Sequence, residues 1–287
     1  MQRKFGIIGG DLRLIFLSLL LAKENNIVYT YALEKAEILK KEENVEFCES
    51  IEEIANKSDI LIGAIPFSKN NVEINSAYSD KKVTIQDLIE NLQNKKIIAG
   101  SISKKILMQA EENNVKMIDI MENEKLTILN TIATAEGAIE RIISNTNRIL
   151  HGSKVLILGY GRVSKTLAKK LKGLDAKITI AARRKEAFAQ IYTNGFDAIN
   201  INNMGENLKE YDIIINTVPE LILGKEQLKY VNNKTFLLDL ASAPGGIDFE
   251  EANKRKIKSE LALGLPGKCA PLSTAMFIKD VIEDIVI

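Results

Sequence analysis

The sequence predicts an α/β protein of two Rossmann-like or flavodoxin-like domains with parallel sheets, joined by a long linking helix. Three observations carry this. Short β-rich runs alternate with amphipathic helical stretches in the first part of the chain, a long proline-free helical pattern follows, and a second alternating series opens with an apolar strand running into Gly159-Tyr160-Gly161. Alternation of this kind lays helices over parallel strands, because a parallel connection needs a crossover.

In order, the first series predicts strands at Phe5 to Ile8, Ile27 to Tyr31, Asp59 to Ile65, Lys96 to Ala99 and Lys116 to Ile120, with helices from about Leu12 and around Ser50 to Lys57. Pro66 to Asp80, rich in Ser, Asn and Lys, reads as a long polar loop. From Thr134 onward, Ile139, Ile142, Ile143, Ile149 and Leu150 recur at helical spacing until Gly152 offers a stop. The second series predicts strands at Lys154 to Leu158, Lys177 to Ala181, Asp212 to Ile215 and Thr235 to Leu240, fading near Ile257 to Leu263. Thr274 to Ile285 reads as a last amphipathic helix. The expected division is an N-terminal α/β domain over 1–130, the linking helix over 131–151, a second α/β domain over 152–268, and a C-terminal helix, 269–287, packing back on the first domain.

Composition excludes several classes of function. The chain has 287 residues, enough for two domains with their own cores. Its 39 basic and 38 acidic side chains leave a net charge of +1, which advertises neither nucleic acid nor a membrane surface. Cys48 and Cys269 lie far apart without CxxC or Cys/His spacing, so no disulfide framework or metal site is expected. Arg3 and Lys4 ahead of Leu14 to Ala22 sketch a signal peptide, but Asp11 and Arg13 stand directly before that run, and a strand-Gly-Gly-helix pattern explains it better. The run is also shorter than the ~20 residues that span a bilayer. The expected location is cytoplasmic.

The sharpest motif is Val155-Leu156-Ile157-Leu158-Gly159-Tyr160-Gly161-Arg162-Val163-Ser164, an apolar strand entering Gly-x-Gly-x-x-Ser and then a helical pattern. The first glycine permits a tight turn and the second lets the main chain approach a pyrophosphate. The helix start, with Arg162 and Val163, offers free N–H groups. NAD-binding chains end the next strand on an acidic residue for the ribose hydroxyls. Here Ala181-Ala182-Arg183-Arg184 carries no carboxylate and two guanidiniums, which suits the 2′-phosphate of NADP better than NAD. The plain alternative is two arginines on a solvated helix start. Asn216-Thr217-Val218-Pro219 and Asp239 to Gly246 follow the next two strands and should border the cofactor, with Thr217, Val218, Pro219 and Ala241 as contacts; otherwise each is an ordinary turn.

In the first domain, Gly9-Gly10-Asp11-Leu12-Arg13 also joins a strand to a helix. Adjacent glycines are not a dinucleotide fingerprint, so a smaller anionic ligand is expected there, with Asp11 and Arg13 as contacts; alternatively Asp11 caps the helix and Arg13 faces solvent. Thr134-Ala135-Glu136-Gly137 is read as opening the linking helix, making Thr134 and Ala135 candidate substrate contacts, with a plain Thr134 N-cap as the alternative. Lys268 is a further anion contact and Glu136 the candidate general base. His151 precedes the cofactor strand and is read as structural, which disfavours a hydroxyacid dehydrogenase with a histidine acid/base. Cys269 lacks a histidine partner and reads as a packed thiol.

Gly9-Gly10-Asp11-Leu12-Arg13, Thr134-Ala135-Glu136-Gly137-Ala138-Ile139, Gly159-Tyr160-Gly161-Arg162, Ala241-Ser242-Ala243-Pro244-Gly245-Gly246 and Gly264-Leu265-Pro266-Gly267-Lys268-Cys269-Ala270-Pro271 together resemble the A subunit of dipicolinate synthase, across nearly the whole chain. Leu272-Ser273-Thr274-Ala275 departs from the Lys-Thr pattern of that family. The resemblance implies an NADP-linked enzyme that oxidises and dehydrates a cyclic lysine-pathway intermediate, dihydrodipicolinate or its 4-hydroxytetrahydro form, to dipicolinate. It implies work in the mother cell during sporulation with a flavoprotein-like B subunit. A homo-oligomer is expected, and a small dicarboxylate held in an inter-domain cleft by Arg13 on one side and by Lys268 or Thr134 on the other. Two alternatives stay open. One is an NAD(P)-binding regulatory protein without catalysis. The other is a different two-domain dehydrogenase of the hydroxyacid dehydrogenase or adenosylhomocysteinase type.

Overall fold

Branched apolar runs such as Phe5-Gly6-Ile7-Ile8 and Val155-Leu156-Ile157-Leu158 are too short for helices, and burial on both faces makes them central parallel strands. The computed structural model describes residues 2–286. It contains two units, one formed by the residues up to Asn130 with those from Ala270 onward, the other by Thr131–Cys269. Unit 1 holds strands β1 (Lys4–Ile8), β2 (Ile27–Tyr31), β3 (Val45–Phe47), β4 (Ile60–Gly63), β5 (Lys96–Ala99) and β6 (Lys116–Asp119), with helices α1 (Leu12–Lys23), α2 (Ile51–Lys57), α3 (Ile85–Asn91) and α4 (Lys104–Glu112). The division between the units falls within α5 (Glu124–Asn145). Unit 2 holds β7 (Lys154–Leu158), β8 (Lys177–Ala182), β9 (Asp197–Asn200), β10 (Ile213–Asn216), β11 (Phe236–Asp239) and β12 (Ser259–Leu261), with α6 (Arg162–Gly173), α7 (Lys185–Thr193), α8 (Lys225–Leu228), α9 (Phe249–Lys254) and α10 (Leu265–Cys269). The last helix, α11 (Pro271–Val286), belongs to unit 1.

The first sheet runs β3-β2-β1-β4-β5-β6 and the second β9-β8-β7-β10-β11-β12, every named pairing parallel. Counted within each unit, both read 3-2-1-4-5-6, the Rossmann order rather than the flavodoxin one. The strand order therefore reverses beside β1 in one unit and beside β7 in the other, and the carboxyl ends flanking that point are where ligands gather. In unit 1, Ala275, Ile278, Val281 and Ile282 of α11 share one core with Leu14, Ile15, Leu17 and Leu21 of α1. Helix starts are set locally: the side chains of Asp11, Ser50, Thr84 and Ser103 accept main-chain N–H groups at the starts of α1 to α4.

Four features differ from the sequence pattern. Strands β3 and β9 are additional to it; both are sheet edges, short, and carry charges (Glu46, Asp197) that blur the β signal. Helix α5 begins about ten residues before Thr134, where the Asn123 side chain accepts the Leu126 N–H, and it ends at Asn145 rather than near Gly152. Ile149 and Leu150 lie outside it, Ile149 exposed. The segment after the last strand does not simply trail it: Leu265–Cys269 forms α10. The loop after β4 is polar in composition yet buries Phe67 and Ile74 in the core.

Replacing Ile282, wholly buried between α11 and the rest of unit 1, by Ala should cost about 2–5 kcal/mol of stability. The exposed Met276→Ala should change it by less than about 0.5 kcal/mol. Urea denaturation followed by circular dichroism measures both, and equal small effects would show that α11 adds little to that core.

Candidate functional site

At the carboxyl ends of β7, β8 and β10, unit 2 opens a cavity of about 530 Å³. Its lining brings together Gly159, Gly161, Arg183, Arg184, Thr217, Val218 and Pro219, with Tyr160 and Ile201. Gly159 has φ +94, and a Cβ there would come within 2.8 Å of both Val218 Cγ2 and Thr217 Oγ1, so glycine is demanded by the protein itself. Gly161 is different. Its φ of −92 suits any residue, and an added Cβ would meet nothing within 4 Å. What its missing side chain leaves free is space in the cavity, directly before the start of α6, which no side chain caps. An uncapped helix start and an open approach are what a pyrophosphate requires, so the residues present fit a dinucleotide.

Arg162 and Val163 form the first turn of α6 behind Gly161. Ser164, at the third glycine position, is wholly buried and its hydroxyl has no hydrogen-bond partner among the described residues. Arg183 follows β8 and pairs loosely with Glu220, 3.4 Å away, both more than half exposed. Arg184 is the exposed residue preceding α7. Burial pushes the Tyr160 phenol up from its ordinary range, and Lys165 Nζ lies 5.0 Å from the centre of its ring.

Behind the cavity, the sequence motifs mark two segments but not the side chains that hold them. Asn216 and Asp239, both wholly buried, end β10 and β11. Asp239 accepts from Asn216 Nδ2 at 2.7 Å and from the main-chain N–H groups of Ala241 and Gly246 at 3.0 and 2.7 Å. Asn216 in turn donates to the Val218 carbonyl and accepts the Val218 N–H. Ala241, expected as a cofactor contact, is buried outside the cavity lining and serves this network through its N–H. An Asp and an Asn each closing a fully apolar strand were the available signal: buried polar groups need partners, and these partners are loop main chain.

The remaining candidates lie elsewhere. Asp11 is the N-cap of α1 and its two carboxylate oxygens take Arg13 Nε and Nη2, while Arg13 Nη2 also donates to the Ile65 carbonyl. Asp11 is thus consumed by an internal ion pair, and as an anion it would repel the dicarboxylate it was expected to contact. Thr134 is mid-helix in α5, so its N–H is no free donor, and Ala135 is sealed in the core of unit 2. Glu136 is exposed and bound to Lys170 at 2.8 Å, the setting of a surface ion pair rather than of a base held beside a reacting atom. Lys268 is exposed on α10, at the edge of a separate cavity with Arg141, Glu260 and Cys269. Burial pushes the Cys48 thiol up to about 11 and raises that of Cys269, so neither is an activated nucleophile. His151 is exposed, 3.4 Å from Asp175.

Comparison with known proteins gives two domain matches. Residues 4–121 match the N-terminal domain of the dipicolinate synthase A subunit, and residues 140–258 match the shikimate / quinate 5-dehydrogenase family. The dipicolinate synthase A subunit of Bacillus subtilis (strain 168) is 31% identical over 283 residues, covering 98% of this chain and 94% of that protein. The chain belongs to the family of dipicolinate synthase A subunits. The crystal structure of the family member from Bacillus halodurans superposes with a TM-score of 0.89 at 30% identity, over 99% of this chain and 97% of that one. Shikimate dehydrogenase (NADP(+)) of Staphylococcus aureus (strain Newman) is 26% identical over 208 residues, 65% of this chain and 75% of that protein. With the glycine turn in place, membership of this family makes the chain an oxidoreductase that takes a nicotinamide dinucleotide. Among the described residues no helix is long and apolar enough to cross a membrane.

The two glycines should separate under mutation. Gly159→Ala should destabilise unit 2 by more than about 1 kcal/mol, from its positive φ and its clash with Val218. Gly161→Ala should leave the thermal midpoint unchanged and weaken dinucleotide binding roughly tenfold or more, because its methyl fills the approach to the phosphates. Calorimetry and NADPH fluorescence read the two effects; unchanged NADPH binding in Gly161→Ala would remove the pyrophosphate from this turn.

Proposed function

We propose that this protein is the A subunit of a dipicolinate synthase, oxidising dihydrodipicolinate, or dehydrating and oxidising its 4-hydroxytetrahydro form, to pyridine-2,6-dicarboxylate with NADP. The observation that carries the NADP preference is the end of β8. There Arg183 and Arg184 border the glycine-turn cavity and no carboxylate takes the place of the ribose ligand. Two guanidiniums supply charge-assisted, planar donors to a 2′-phosphate. The Staphylococcus aureus relative, named for NADP(+), runs the same way.

When bound, the nicotinamide supplies a two-electron acceptor for hydride. The chain's own residues hold and orient. Gly159 and Gly161 admit the pyrophosphate at the start of α6, and Thr217, Val218 and Pro219 form the wall beside it. In unit 1, Arg13 is the cationic candidate for a substrate carboxylate through Nη1, the guanidinium nitrogen for which neither Asp11 nor Ile65 supplies an acceptor. Lys268 is the cationic candidate in unit 2. Loss of a proton from a ring becoming aromatic is strongly downhill, so a water or a weak base suffices. A B subunit as partner, the mother cell as the setting and a homo-oligomer are part of the proposal.

A second reading, a dinucleotide-binding protein that catalyses nothing alone, is favoured by one observation: among the cavity-lining residues there is no carboxylate and no histidine. Mixing the protein with NADP, pyruvate, aspartate semialdehyde and the condensing synthase, with and without the B subunit, separates the readings by the ultraviolet absorption of the product. NADPH binding without product under both conditions rejects the enzyme reading. Independently, Arg184→Ala and Arg183→Ala should each weaken NADPH about tenfold to a hundredfold while leaving NADH affinity within about twofold. Equal losses for both dinucleotides would take the 2′-phosphate away from these arginines.

A further inference from the structure

The segment after β4 folds back over the turn that joins β1 to α1. Asn75 donates its N–H to the Phe67 carbonyl, its own carbonyl accepts the Gly10 N–H at 2.7 Å, and Ala77 N–H donates to the Gly10 carbonyl. Phe67 N–H reaches on to the Gly100 carbonyl beyond β5. Main-chain bonds thus pin Asn75 across the carboxyl end of the sheet, independently of its side chain. Asn75 is only 9% exposed, yet its side-chain amide makes no hydrogen bond to any described residue and is not among the fully enclosed polar atoms. Burying an amide without a partner is unfavourable, and natural structures rarely leave one so. An amide on a residue nine-tenths buried, unsatisfied by protein and with its polar atoms not fully enclosed, is placed to meet a group from outside the protein.

Its neighbours say what. The Gly9-Gly10 turn and the start of α1 lie beneath it: a Cβ on Gly9 would come 3.0 Å from the Asn75 carbonyl and 3.5 Å from Ser76 Cβ. Arg13, on the first turn of α1, is held rigid by Asp11 and the Ile65 carbonyl with its side chain 8% exposed and Nη1 unengaged. Ser76 likewise carries a hydroxyl without a partner among the described residues. The Arg13 charge is offset by Asp11, so the place offers fixed donors with no net charge. That selects a small group able to accept several hydrogen bonds and is too weak a field for a multiply charged phosphate.

We propose that Asn75 is a specificity-determining residue of unit 1, its side-chain amide donating to a carboxylate of the substrate beside Arg13. This rests on the dicarboxylate reading above and sharpens it, naming the group that reads one carboxyl. Asn75→Asp keeps the size and main-chain bonds of the residue and places an anion where the substrate carboxylate should sit. Asn75→Ala removes the donor alone.

The test measures binding of pyridine-2,6-dicarboxylate to the full-length protein and both variants by titration calorimetry, alongside NADPH affinity and thermal midpoint. With the B subunit present, KM and kcat are followed as well. The expected result is a loss of dicarboxylate affinity of about tenfold in Asn75→Ala and about a hundredfold in Asn75→Asp. KM should rise to match, with NADPH affinity and thermal midpoint unchanged. Wild-type affinity and KM in a folded Asn75→Asp would overturn the proposal while sparing the dicarboxylate reading. So would tighter binding, which would mean that Asn75 meets a donor. If the wild-type protein itself binds no pyridine-2,6-dicarboxylate, the dicarboxylate reading fails first and takes this one with it. Should Asn75→Asp not fold, Asn75→Ala and Asn75→Ser decide by the same readouts.

Discussion

The carboxylate of Asp239 has no access to water and is satisfied by the Asn216 amide and two loop N–H groups. On that arrangement the shape of the cavity depends. The two loop N–H groups would be left buried and unpaired without it, at about 1–3 kcal/mol apiece, and the Asn216 amide would lose one of its two acceptors, so the loops after β10 and β11 have one favourable conformation. Asn216 passes the constraint on by gripping Val218 through both its N–H and its carbonyl, and Val218 packs where a Gly159 side chain would have to be. The glycine turn is thereby shaped from behind by a polar chain that lies outside the cavity lining.

Around this rigid centre the charges are loosely held. Arg183 and Glu220 sit 3.4 Å apart with more than half of each side chain exposed, a pair worth about 0–1 kcal/mol. Exchanging Glu220 for a phosphate therefore costs little, and the new partner is doubly charged and better shaped for a guanidinium. A chain with a net charge of only +1 can still select an anion in this way. On the proposed NADP reading, the selection falls to a few fixed donors and loosely held arginines at the strand ends rather than to the field of the whole molecule.

Central strands were legible because burial on both faces leaves an uninterrupted apolar run, as in Val155 to Leu158 and Ile213 to Ile215. The edge strands β3 and β9 were not, since Glu46 and Asp197 face solvent and break the pattern that burial would have imposed. The start of α5 was hidden for a related reason. Thr127, Thr131 and Thr134 dilute the helical signal, and the true cap, Asn123, precedes residues whose apolar members Ile128 and Ile132 are exposed rather than buried. The glycines and arginines that line the cavity beyond β7 and β8 could be picked out directly, because backbone freedom and charge are properties of single residues. Asp11 with Arg13, Asn216 with Asp239 and Glu136 with Lys170 could not. Each pairing is made in the folded chain, and a charged residue in a sequence does not say whether its partner is a ligand or its own neighbour.

The two units share one strand order, so topology alone does not explain why the second fits a dinucleotide better. The difference lies at the equivalent turn. In unit 1, Asp11 caps α1 with its own carboxylate, setting a negative charge at the helix end that would otherwise attract phosphate. Gly10 gives its N–H to Asn75, so the main chain is already covered. In unit 2, Gly161 leaves α6 uncapped and open. A carboxylate and a folded-back segment thus turn one copy of the fold away from phosphates, and what they leave accessible there, the Asn75 amide and one edge of the Arg13 guanidinium, suits a smaller and less charged group. One architecture used twice, with its helix start blocked in one copy and bare in the other, is sufficient to give the two units different anion chemistry.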